Sequence, residues 1–355
     1  QENDTSYDRN KVQLINNGTI TLSGANSTAM YAKFGELKNN ATGTITLGDT
    51  STGLYGVGDS ILTNTGTITM GNKSTGMYSE GSTTQGVTNA GTITSSGTSS
   101  VGVLFKPDAS LTAGQVLGNT GNITLGDSSV GLYGDSTSTN YTTSNSGNIT
   151  VGNNGIGMFG YAADVTGGTV KVGDKGVGLY SQGGNVNLAG GTIQTGASEA
   201  VGVYTVGNGQ NITNSATAFN IGDNSFGFVN VGNNNMVESN SNVSLHNNNI
   251  HIYSSDAAGR IYNKGNVTAS GNRNYGVYAA GHSENSGHIN MTTGLGNIGM
   301  YSKSGDAHNV AGGTITVGLS GTNPNYNPID SRTGNLKDPT KPLDPVGTLY
   351  SVGMA

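Results

Sequence analysis

The chain has 355 residues, with 60 Gly, six Pro, no Cys, no Trp, 15 basic and 21 acidic residues, and a net charge of −6. That balance excludes a basic footprint for nucleic acid or an anionic lipid surface, and the lack of Cys removes disulfides and thiol chemistry. No run of about 20 apolar residues is present to span a bilayer.

Residues 1–11, which carry Glu2, Asp4, Asp8, Arg9 and Lys11, have no periodic pattern and read as a cap fragment or frayed end. From residue 12 a repeat takes over. Its first phrase is Gly18-Thr19-Ile20-Thr21-Leu22, followed by Gly43-Thr44-Ile45-Thr46-Leu47 and Gly66-Thr67-Ile68-Thr69-Met70, and it continues from Gly91, Gly121, Gly147, Gly168, Gly191, Gly265, Gly287 and Gly313. Two degenerate copies, Thr217 to Ile221 and Ser241 to Leu245, fill the gap. Twelve intervals span the 295 residues from Gly18 to Gly313, a mean period of 24.6. A fixed period of this size marks stacked supersecondary units, and β-branched strands between Gly/Asn turns make each unit a coil of parallel strands. A chain of this composition would otherwise suit low-complexity disorder; the regular placement of its few apolar residues argues for a narrow one-dimensional core.

Within one coil, alternation turns Ile45 and Leu47 inward and Thr44 and Thr46 outward. A Gly followed by Asp or Asn then marks a corner, with acids at Asp49, Asp127, Asp174 and Asp223 and amides at Asn72 and Asn153, so that no two acids are neighbours in the stack. About ten residues on comes a second strand, as in Val130-Gly131-Leu132-Tyr133, Val177-Gly178-Leu179-Tyr180, Val201-Gly202-Val203-Tyr204 and Ile298-Gly299-Met300-Tyr301. If Val130 and Leu132 face the core, Gly131 and Tyr133 face out. A third, weaker strand ends in Asn two residues before the repeat Gly, at Asn16, Asn64, Asn89, Asn119, Asn145, Asn263 and Asn285, which predicts a ladder of bonded Asn side chains along the axis. The sum is an all-β, parallel β-helix solenoid of about 13 coils of 24–25 residues with three short strands each, right-handed by the preference of parallel crossovers. At ~4.8 Å per coil it is a rod on the order of 60 Å long.

The β-helix repeats run over residues 12–318. The repeat from Gly91 to Gly121 is longer and holds Phe105-Lys106-Pro107-Asp108. Residues 319–348 contain five of the six Pro and cannot form coil, so they read as an insertion loop, after which 349–355 resume the coil pattern and stop within it. The chain is therefore expected to be a monomeric piece of a longer solenoid.

Four constellations bear on chemistry. The aromatic column Tyr31, Tyr55, Tyr78, Tyr133, Phe159, Tyr180, Tyr204, Tyr253, Tyr278 and Tyr301 repeats as the structure does, which points to axial stacking that shields the Gly column. Its functional alternative is an aromatic stripe beside a glycine furrow, suited to sugar rings or a protein partner. His282 and His308 each stand five residues before a repeat Gly, but no third ligand is in register, so no metal site is expected. A lyase or hydrolase would need charged residues clustered on adjacent coils, and the four Arg (Arg9, Arg260, Arg273, Arg332) and scattered carboxylates do not supply them. Calcium binding of the nonapeptide-repeat kind requires a different period. No cofactor is expected.

The paired phrases Gly-Thr-Ile-Thr-Leu-Gly-Asp/Asn and Gly-Leu/Met/Val-Tyr, with their Asn-x-Gly turns, resemble the passenger domains of large type V autotransporter adhesins, those of fusobacteria above all. The likeness covers roughly residues 12–318. It implies a secreted β-helical stalk on the bacterial cell surface, held at the outer membrane by a barrel domain that this chain does not contain, and attachment to host cells or other bacteria through a surface protein or glycan, with the segment acting as receptor-binding region or spacer. The competing expectation is a carbohydrate-active β-helix enzyme. Candidate partner-binding residues are Tyr133, Tyr180, Tyr204, Tyr253, Tyr278 and Tyr301 on the column, and Tyr326, Arg332, Lys337 and Lys341 in the Pro-rich stretch, which is expected to protrude because recognition in a repetitive rod favours departures from the repeat.

Overall fold

A computed structural model describes residues 12–322 and 348–355. The expectations for residues 1–11 and for the Pro-rich stretch, including Tyr326, Arg332, Lys337 and Lys341, lie outside the described residues. The rest winds into three parallel sheets of thirteen strands each, and every strand pairs with its counterparts one coil before and one coil after. The first sheet opens with Gln13–Asn16, the second with Thr19–Leu22 and the third with Thr28–Lys33. Coil 13 is closed by Val352–Met354, which pairs with Ile298–Ser302 after an antiparallel pair, Gly321–Thr322 with Thr348–Leu349, has brought the chain back. No helix long and apolar enough to cross a membrane occurs among the described residues.

The second sheet follows the expected alternation. Ile45, Ile68, Ile93, Ile123 and Ile149 stand in register and are buried, whereas the Thr beside them are at least partly exposed. Ile315, expected in the same buried stack, pairs with Ile289 but is only partly buried, because coil 13 has a described neighbour on one side alone.

The third sheet departs from strict alternation. Leu132 is fully buried and Tyr133 faces outward, as expected, but Gly131 is buried and Val130 half exposed, so two successive residues face the interior. Register passes from the pair Val101–Val130 directly to Val103–Leu132. The cause is a close approach: a Cβ on Gly131 would lie 2.5 Å from both the Gly157 carbonyl oxygen and Ile149 Cγ2. Only Gly admits the second-sheet Ile of the next coil there. The glycine column is therefore an internal socket, and the external furrow expected beside the tyrosines does not exist.

Polar columns hold the corners. The Asn ladder runs Asn16, Asn39, Asn64, Asn89, Asn119, Asn145, each Nδ2 donating to the next Oδ1 at 2.8–2.9 Å; polar residues return with Asn214, whose Nδ2 donates to Ser239 Oγ at 3.1 Å, and Asn263, Asn285 and Asn309 follow at 2.7 and 2.8 Å. Between Asn145 and Asn214, Val165 and Leu188 take the position in coils 7 and 8. At the next corner each Asp or Asn accepts the backbone N–H of the coil above: Asn72 to Asp49 at 2.8 Å, Asn153 to Asp127 at 2.7 Å, Asp174 to Asn153 at 2.8 Å. The left-handed residue lies one position later, at Thr50, Lys73, Ser128, Asn154, Lys175 and Asn224. Its N–H bonds the carbonyl of the coil above, as Thr50 does to Asn72 at 2.8 Å, which offsets the strain of positive φ in non-Gly residues.

Candidate functional site

The aromatic column is resolved into three runs. In the first, Tyr31 and Tyr55 meet edge to face at 5.4 Å and Tyr55 and Tyr78 stack at 4.8 Å and 7°. Leu104 then occupies the position, in register with both Tyr78 and Tyr133. The second run stacks Tyr133, Phe159, Tyr180 and Tyr204 at 4.9–5.0 Å. Val229 interrupts it, and the third run joins Tyr253, Tyr278 and Tyr301 at 5.4 and 4.7 Å. These spacings match the rise of one coil, so sheet register alone places the rings in contact. Ring faces are spent on ring neighbours, and what the column offers outward is a row of half-buried edges and phenol oxygens.

Sequence reading missed the acid of this face. Tyr55 donates its phenol hydrogen to Glu80 Oε2 at 2.6 Å, and Lys106 Nζ lies 3.4 Å from Glu80 Oε1. The hydrogen bond to the carboxylate, aided by burial, pushes the Tyr55 phenol up to about 12, and the same bond holds Glu80 below the usual carboxylate range. Burial, with Glu80 second, raises Tyr78 as well.

The histidine reading also needs correction. His282 and His308 do fall on adjacent coils, with ring centroids 5.3 Å apart, but a third group joins them: ligand atoms of His282, Asp306 and His308 all lie within 4.8 Å of one another. Asp306 precedes the short strand Ala307–Asn309, and its backbone oxygen accepts the Ser283 N–H at 2.8 Å, which sets it opposite His282. Counting from repeat Gly residues hid this, because the two coils differ in length.

A further histidine escaped notice altogether. His251 takes the place of Gly in the third-sheet phrase, Ile250-His251-Ile252-Tyr253, and is fully buried. Its ring meets Phe228 and Phe219 edge-on at 5.9 and 6.5 Å, and Nε2 lies 3.2 Å from Ser239 Oγ. The second sheet has Val243 and Val267 at this level instead of Ile.

A family model described as the BigA third pectate lyase-like domain matches residues 7–103, little more than a quarter of the chain, ending within the third-sheet strand of coil 4. No curated protein and no solved structure matches the chain.

Proposed function

We propose that this chain is a projecting segment of a bacterial surface adhesin, a rod that carries or itself forms a contact surface for a protein or glycan on host cells or other bacteria. The observation that supports this reading best is the use made of the repeat: core, Asn ladder, corner carboxylates and ring column all serve to stack coil on coil, which lengthens a rod. The likeness of residues 7–103 to a BigA domain is consistent with a surface adhesin-type protein. Its pectate lyase-like description concerns a fold, and a fold does not fix an activity. In this reading the segment binds and does not catalyse, and a barrel elsewhere in a longer chain holds it at the outer membrane.

Within the rod, the edges of Tyr133, Tyr180, Tyr204, Tyr253, Tyr278 and Tyr301 form the contact ridge on the described coils, while Tyr326, Arg332, Lys337 and Lys341 make the Pro-rich stretch the second candidate. The test is competition: the purified chain is added to parent cells adhering to host cells, alongside a variant with residues 323–347 replaced by a short Gly/Ser turn and one with Tyr180, Tyr204 and Tyr278 changed to Ser. Inhibition by the intact chain supports the reading, and the variant that loses it locates the surface. Failure of the intact chain to compete makes it the spacer that carries the contact surface, and cleavage of a polysaccharide panel refutes the reading in favour of an enzyme.

A further inference from the structure

We propose that His282, Asp306 and His308 form a binding site for a divalent first-row transition ion, with zinc as the test case. The three side chains share the outer face of the first sheet at coils 12 and 13. Ser283 is in register with Ala307 and Glu284 with His308, so Asp306 sits across the rung from His282 and His308 sits diagonally from it. The imidazoles thus approach from two corners of a square whose third corner is the carboxylate. Two nitrogens and one oxygen from three side chains are a common donor set for zinc, with room left for water. Donor atoms within 4.8 Å of one another need to close to roughly 3.4 Å around an ion held at about 2.0–2.2 Å. Rotation of the exposed Asp306 and His308 side chains supplies that change without moving backbone.

The rings do not behave as another stacked column. Stacked rings on the outer face of the third sheet belong to rung partners, as Tyr180 and Tyr204 do, and tilt by 3–30°. His282 and His308 are not rung partners and tilt by 53°. The surrounding charge is mixed: Glu284, beside His308, favours a cation, while Arg260, in register with His282, opposes one. With Asp306 counted, two carboxylates face one guanidinium. Because His282 belongs to coil 12 and the other two ligands to coil 13, the ion would clip the last described coil, whose Ile315 is only partly buried and whose Asn309 is exposed, to the body of the rod.

The experiment uses the tag-free chain and zinc chloride, with calcium and magnesium chloride as controls, read by calorimetry and by amide hydrogen exchange. One equivalent of zinc is expected, with neither control ion competing. His308→Ala, His282→Asn and Asp306→Asn should each weaken binding by roughly tenfold or more, and His246→Ala, outside the cluster, should leave it unchanged. Zinc should slow exchange of the Ser283 amide in the parent and not in the His308→Ala variant. Far-UV circular dichroism shows which variants remain folded, and any one folded variant suffices for the comparison. Absence of stoichiometric zinc binding by the parent, or equal affinity in the folded variants, would overturn the proposal.

Discussion

Acidification should loosen the rod at one identifiable place. His251 is sealed among Phe219, Phe228 and its own coil, with Nδ1 lacking any hydrogen-bond partner among the described residues and Nε2 facing only Ser239. Burial lowers its pKa from 6.5 to about 3. The folded-state value lies below the unfolded one, so between these pH values the unfolded chain binds the extra proton, and stability falls as pH falls through that window. At pH 5 the unfolded imidazole is about 1.5 pH units below its ordinary pKa, and at about 1.4 kcal/mol per unit the loss relative to pH 7.5 is about 2 kcal/mol. Solenoids open locally, so the effect belongs to coils 9–11 and is best read as amide exchange there, in the parent and in His251→Leu. The parent should lose about 2 kcal/mol more protection than the variant between pH 7.5 and 5. A histidine NMR titration gives the direct check: one imidazole should stay neutral at pH 5. If all five histidines titrate near their ordinary pKa, or both proteins lose protection equally, the ring is not buried as described.

Asn119→Ala removes bonds to Asn145, Gly121 and Asn89 at 2.9, 3.1 and 2.9 Å and should cost about 3 kcal/mol at roughly 1 per bond; denaturant unfolding showing under ~1 kcal/mol would mean that the ladder carries no load. Gly131→Ala should cost about 2 kcal/mol or more by overpacking, whereas Gly18→Ala, where a Cβ meets nothing within 4 Å, should leave the melting temperature unchanged. Ile68→Asp puts an unpaired charge into the fully buried stack and should cost several kcal/mol, seen as loss of β signal in circular dichroism. Glu80→Gln removes the anion that holds up Tyr55, so an ultraviolet titration should show an additional phenol ionising below its present value of about 12.

Period, strand count and the inward face of Ile45 and Leu47 were legible because each depends on the chain's own alternation, repeated until chance is excluded. The Asn ladder was legible for the same reason, but Asn39 and Asn309 were not, since both lie four residues before the repeat Gly and the corner absorbs the difference. Gly131 misled because a strand that bends at Gly can turn two successive residues inward, and period-two counting has no place for that. Asp306 and Glu80 were hidden more deeply. Each acts on a residue of a neighbouring coil more than twenty positions away, and such pairs become visible only once loop lengths are converted into register. His251 read as a lapse in the phrase; only the burial of its neighbours shows it to be core.

The lapses of the polar columns fall together, and this gives the rod a mechanical grain. Val165 and Leu188 replace ladder asparagines in coils 7 and 8. Beside them, the serines whose Oγ accepts backbone N–H bonds between coils, Ser51, Ser74, Ser100 and Ser129, give way to Gly155, Gly176 and Ala200 before Ser225 resumes. Through this stretch the strand ladders are reinforced chiefly by the corner bonds from Asp127 to Ala197 and by the rings from Tyr133 to Tyr204. Shear between coils breaks directional bonds abruptly, whereas apolar surfaces and stacked rings slide and re-form. A rod pulled at its ends would therefore yield first near its middle, as two stiff blocks on a compliant joint, and would lengthen in two steps.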